Sequence, residues 1–177
     1  SGSSDFGSGD CFKGEVMAHL AALLSFSAEK NNDPVGLLLF SDQVEHYVPP
    51  KKGRGHMLRI LRDLYYHKPK SRGTKISAGL EFLLGVQKKR SNVFIFSDFI
   101  DDGFDQALRM TGKKHDAVAV VIQDPAELEI PRIGLVDLQD AESGEIITVD
   151  TSSKAFQKHY SGHIEKLQKK RDDELKR

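Results

Sequence analysis

Three stretches of the sequence place oxygen-bearing side chains at changes of local structure. Val93-Phe94-Ile95-Phe96-Ser97-Asp98 is an apolar run that ends by delivering a carboxylate. Gly73-Thr74 opens a segment with helical apolar spacing, which sets the Thr74 hydroxyl near a helix N-terminus. Ser1-Gly2-Ser3 precedes another such segment and would follow a strand lying upstream. Hydroxyl and carboxylate oxygens are the ligands that hard cations such as Mg²⁺ prefer. Asp101 and Asp102 add local acid, and with Asp98 they offer the carboxylates of a two-metal phosphoryl-transfer centre. A run of acids after a strand is more often a solvated loop, and the alternative for Asp98 is a cap on the following turn in a metal-free scaffold, which its place at the C-terminal edge of a sheet makes the lesser reading.

Other reactive types carry less. Asp42 in Phe40-Ser41-Asp42 reads as a turn former with Gln43. His159 and His163 share a helix face, but Tyr160 stands where a metalloprotease helix needs Glu. Cys11 lies at the mouth of the first helix without a histidine nearby in sequence, so no nucleophile is expected there. The basic loops Lys51-Lys52-Gly53-Arg54 and Lys68-Pro69-Lys70-Ser71-Arg72 contain no aromatic residues and read as a solvated face.

The elements that must position the oxygens alternate between two periods. Val16, Leu20, Leu23 and Leu24 mark a helix over 12–30, broken by Asn31-Asn32-Asp33-Pro34. Val35–Phe40 is continuously apolar and is expected as a strand buried on both faces. A shorter strand over 44–48 is expected to stop at Pro49-Pro50. Met57, Ile60, Leu61, Leu64 and Tyr65 mark a second helix, and Ile76, Leu80, Leu83 and Leu84 a third. Apolar strands follow over 93–96 and 117–122, with a short helix over 105–113 between them. Residues 135–138 and 146–149 flank Asp140-Ala141-Glu142-Ser143-Gly144 as a hairpin. Thr151-Ser152-Ser153 offers an N-cap to a charged helix striped by Phe156, Tyr160, Ile164 and Leu167. This alternation predicts an α/β fold with a doubly wound, mostly parallel sheet flanked by helices, in which ligands bind beyond the C-terminal ends of the strands.

The 177 residues suit one domain with a genuine core. Twenty-six basic residues balance 26 acidic ones, so no global field draws the chain to nucleic acid or to an anionic membrane. The single cysteine excludes an internal disulfide framework, which suits a reducing compartment. No apolar run approaches the roughly 18 residues that span a bilayer. The chain opens on small polar residues without Met and is expected to be a piece of a longer protein.

The oxygen ligands and their order resemble the von Willebrand factor A-like domain. Its metal-ion-dependent adhesion site follows D-x-S-x-S, a distant Thr and a distant Asp, matched here by Ser1, Ser3, Thr74 and Asp98. The chain is similar, closer still, to the bacterial branch called domain of unknown function 58. That similarity runs through Gly36-Leu37-Leu38-Leu39-Phe40-Ser41-Asp42, Val48-Pro49-Pro50-Lys51-Lys52-Gly53 and Phe96-Ser97-Asp98-Phe99. It continues through Lys114-His115-Asp116, Asp124-Pro125-Ala126-Glu127 and Asp140-Ala141-Glu142-Ser143-Gly144-Glu145. The family's first aspartate would stand two residues before Ser1, and the first central strand would precede it. The resemblance therefore implies a single domain over 1–177, cut at its N-terminus and with room for a missing last element at its C-terminus. It implies Mg²⁺ held by Ser1, Ser3, Thr74 and Asp98, with an acidic side chain of a protein partner completing the coordination. It also implies a non-enzymatic, bacterial, cytoplasmic protein associated with a MoxR-type AAA+ ATPase.

Overall fold

The chain is described by a computed structural model over residues 13–71, 73–124, 128, 131–139 and 146–176. It is a mixed α/β fold. Helix α1, Lys13–Lys30, carries Glu15 in its first turn and Lys30 in its last, both favourable to the helix dipole. It ends where Asn32 turns left-handed at φ 55° and the Asp33 N–H donates to the Ala28 carbonyl. Strand β1, Val35–Phe40, pairs antiparallel with β2, Val44–Lys51, through Leu37↔Val48, Leu38↔Tyr47 and Leu39↔His46. Helices α2, Arg54–Tyr66, and α3, Ile76–Val86, follow. Strand β3, Asn92–Ser97, then pairs parallel and in register with β4, Asp116–Val121, across the intervening helix α4, Asp105–Lys114. The antiparallel pair β5, Leu135–Gln139, and β6, Ile146–Asp150, leads into the long helix α5, Lys154–Leu175.

The core holds Ile76 and Leu80 of α3, Ile95 of β3, Phe99 and Phe104 of the following loop, and Ala107 of α4. Phe40 of β1 packs against this cluster. Gly79 makes that approach possible, because a Cβ there would stand 2.7 Å from the Phe40 ring.

Four expectations change in detail. The described strands form three two-stranded ladders, and only β3–β4 is parallel. With one described neighbour, β1 is half-buried along most of its length instead of buried on both faces. Strand β2 runs on through Pro49 and Pro50 to Lys51, where its register with β1 shifts, and such an irregularity tolerates proline. In α1 the inward face is Ala18 and Ser25, while Val16 and Leu23 are exposed. Two of the four stripe residues therefore face outward, while Leu20 and Leu24 are half-buried. The hairpin turn over 140–144, Cys11 and Arg72 lie outside the described residues. No described helix is long and apolar enough to cross a membrane.

His115, at the junction of α4 and β4, is 1% exposed, and neither ring nitrogen has a hydrogen-bond partner among the described residues. Burial, aided by the Lys114 charge, pushes its pKa below the ordinary value. A histidine whose folded pKa is lowered favours its neutral form in the fold. Its stabilising contribution is complete above the unfolded value near 6.5 and is lost as the pH falls below it. His115→Leu should therefore be neutral or stabilising by up to ~1 kcal/mol at neutral pH. It should also flatten the decline of melting temperature that the wild type shows as the pH drops below 6.5.

Candidate metal site

Asp98 follows the last residue of β3, at the C-terminal end of the strand. Its Oδ1 accepts the Ile100 backbone N–H at 3.2 Å and the Ser97 hydroxyl at 3.4 Å. Its Oδ2 lies 3.7 Å from Nζ of Lys13, the first residue of α1. Phe99, next in the chain, is buried and left-handed at φ 56°, with its N–H donating to Ser97 Oγ. A phenylalanine held there stores local backbone strain, which the ring recovers by packing 5.8 Å from Phe104 in the core. The turn that aims Asp98 is thus fixed from below.

The loop from α2 into α3 and the turn after β1 also join this turn. The N-terminus of α3 donates the Ile76 N–H to Asp101 Oδ2 at 2.7 Å. The Lys75 N–H donates to the Ser41 carbonyl, at the exit of β1, at 2.9 Å. Thr74, half-buried, lies just before that helix start. The cap of α3 is therefore the distant Asp101 carboxylate, and no local side chain caps this helix. Of the four sequence-predicted ligands, Thr74 and Asp98 fall on the rim where these junctions meet. Ser1 and Ser3 lie outside the described residues. The donor set fits a hard divalent cation, since Asp98 and Thr74 offer oxygen only.

The other acids do not converge. Asp101 is engaged by α3, and Asp102 is 86% exposed and paired with Lys170 of α5. No group of three or more His, Cys, Asp or Glu able to hold a metal occurs among the described residues. His159 and His163 are exposed. Asp42 is exposed beside a tight turn in which the Ser41 N–H reaches the Gln43 carbonyl.

Glu45, unremarked in the sequence reading, organises the approach to Thr74. Its buried carboxylate accepts from His67 Nε2 at 2.5 Å and from the Lys70 N–H at 3.1 Å. Burial raises its pKa, but hydrogen bonds from Ser41, His67 and the backbone of Lys70 and Ser71 outweigh it and hold the group at about 2. Beside it, His46 stacks on His67 and reaches Asp63 at 3.1 Å. The loop leading to Gly73-Thr74 is thereby tied to β2.

Residues 1–170 match the family model described as "Protein of unknown function DUF58". The chain is 29% identical over 149 residues to "Uncharacterized protein Rv1480" of Mycobacterium tuberculosis, and equally so to "Uncharacterized protein Mb1516" of Mycobacterium bovis. The match covers 82% of this chain and 47% of each relative, so the chain spans about half their length. The fold is similar to the crystal structure of the conserved hypothetical protein BatB from Bacteroides thetaiotaomicron. That likeness has a TM-score of 0.62 at 18% identity, covering 96% of this chain and 95% of that one.

Two measurements follow from the geometry. Asp101→Ala should cost ~1 kcal/mol in denaturant unfolding by uncapping α3, whereas Asp102→Ala should change stability by less than ~0.5 kcal/mol. A carboxylate held below its ordinary pKa contributes stability that is present above the unfolded value near 4.5 and lost as the pH falls toward about 2. Glu45→Gln should accordingly lose about 2–3 kcal/mol relative to wild type at neutral pH, and the gap should close across that acid window.

Proposed function

The chain belongs to the DUF58 family, and on that premise we propose that it is a protein–protein interaction domain of the von Willebrand factor A-like kind. Its adhesion site holds Mg²⁺ through Ser1, Ser3, Thr74 and Asp98 and receives an acidic side chain of the partner. The observation that carries this reading is the meeting of three junctions at one rim. The entry to α1 reaches Asp98 through Lys13, α3 reaches the Asp98 loop through Asp101, and the β1 exit reaches α3 through Ser41. Ligands of open α/β folds bind at such strand ends.

The same proposal includes the doubly wound sheet. Strands β1 and β3 each have one described neighbour, and both feed side chains into one core. The proposal places a strand leading into Ser1 between them, as the central strand of a mostly parallel sheet. Mg²⁺ keeps open coordination positions on a protein that supplies few ligands, and a carboxylate is a suitable incoming donor. This is binding chemistry, with no nucleophile or general base required. By family resemblance the partner is a MoxR-type AAA+ ATPase on the cytoplasmic side.

One observation favours a second reading, a metal-free scaffold. Asp98 Oδ1 already accepts the Ile100 N–H, and Oδ2 already faces an ammonium. Calorimetric titration separates the two. The adhesion site predicts saturable Mg²⁺ binding that Asp98→Ala abolishes while the fold persists by circular dichroism. Absence of any heat at millimolar Mg²⁺ would leave the scaffold.

A further inference from the structure

We propose that Lys13 is a tethered cation that occupies the Asp98 carboxylate until a divalent metal displaces it, and so sets the concentration at which the site loads. The inference rests on the metal-site reading and adds a residue outside the D-x-S-x-S, Thr and Asp pattern.

Lys13 is in an unfavourable place on two counts. Its side chain is 3% exposed, whereas lysines are almost never buried unless paired. It is also the first residue of an 18-residue helix, at the end where the backbone dipole repels a cation. An opposite charge set against these costs is Asp98, whose side chain is itself only 14% exposed. The pairing is directional. Asp98 Oδ1 is taken by the Ile100 N–H, and Oδ2, the oxygen left for a cation, is the one that Lys13 faces at 3.7 Å.

A divalent ion on Oδ2 would stand close to that ammonium in a poorly hydrated setting, where like charges repel strongly. The four-carbon lysine stem allows the ammonium to swing toward water. Loading is then an exchange of one cation for another at a single carboxylate, and the measured metal affinity is the difference between them. The exchange also changes what the rim offers a partner. With Lys13 in place the pair is charge-balanced. With a divalent ion in place the rim gains net positive charge, so attraction for an acidic side chain depends on metal.

Lys13→Met keeps the stem and removes the charge. In calorimetric titration with Mg²⁺ and Mn²⁺, Lys13→Met should bind at least about tenfold more tightly than wild type, and Lys13→Arg should stay within a few-fold of it. A second readout needs no variant: in reductive methylation read by mass spectrometry, Lys13 should react slowly in chelator and faster in saturating Mg²⁺, with other lysines unchanged. Binding by Lys13→Met alone also supports the proposal. Equal affinities in all three proteins, or Lys13 reactivity indifferent to bound Mg²⁺, overturn it and leave the metal site standing. No binding in any of the three removes the metal site and this inference with it.

Discussion

The hydrogen bond from the Ile76 N–H to the Asp101 carboxylate does more than finish a helix. It joins the start of α3 to the loop after β3 across 25 residues of sequence, at 2.7 Å. Ile76 itself is fully buried beside Phe99 and Phe104, so the same residue anchors the polar bond above and the apolar core below. Without that link, the Thr74 loop and the Asp98 turn would be two independent loops. With it, they share one foundation, which is what a site assembled from separate segments requires.

The rim above this foundation is electrically crowded and largely self-compensated. Lys13 faces Asp98, Lys170 answers Asp102, and Glu45 is satisfied by Ser41, His67 and backbone N–H groups. The chain's overall neutrality therefore repeats at short range. Asp98 divides its compensation, with a backbone N–H on Oδ1 and a flexible side chain facing Oδ2, whereas Glu45 is held largely by fixed donors. A charge balanced by a mobile group can be rebalanced by a different ion, and a charge balanced by backbone amides cannot without unfolding the loop.

Much of this arrangement was legible from residue order. The apolar runs mark β1, β3 and β4 to within a residue or so, since a strand needs only its own composition to declare itself. Asp98 was legible for the same reason, as the acid that ends such a run. The failures share a cause. Asp101 caps a helix that starts 25 residues earlier, and Lys13 reaches an acid 85 positions away, so neither contact leaves a local pattern. In α1 the inward face is built of small residues, whose weak hydropathy is overwritten by exposed Val16 and Leu23. Pro49 and Pro50 sit where the β1–β2 register shifts, in a strand with one described neighbour, and neither condition is written in local residue order.

That last point gives the β1–β2 ladder a direction of growth. Pro49 and Pro50 remove backbone donors near the end of β2, and Lys51 and Lys52 follow them. Proline and lysine on an open margin discourage edge-to-edge association between copies. The opposite margin, along Val35–Phe40, contains no proline and keeps every backbone donor and acceptor. Recruitment of another strand is thus discouraged along β2 and permitted along β1, whose Phe40 already packs against the core.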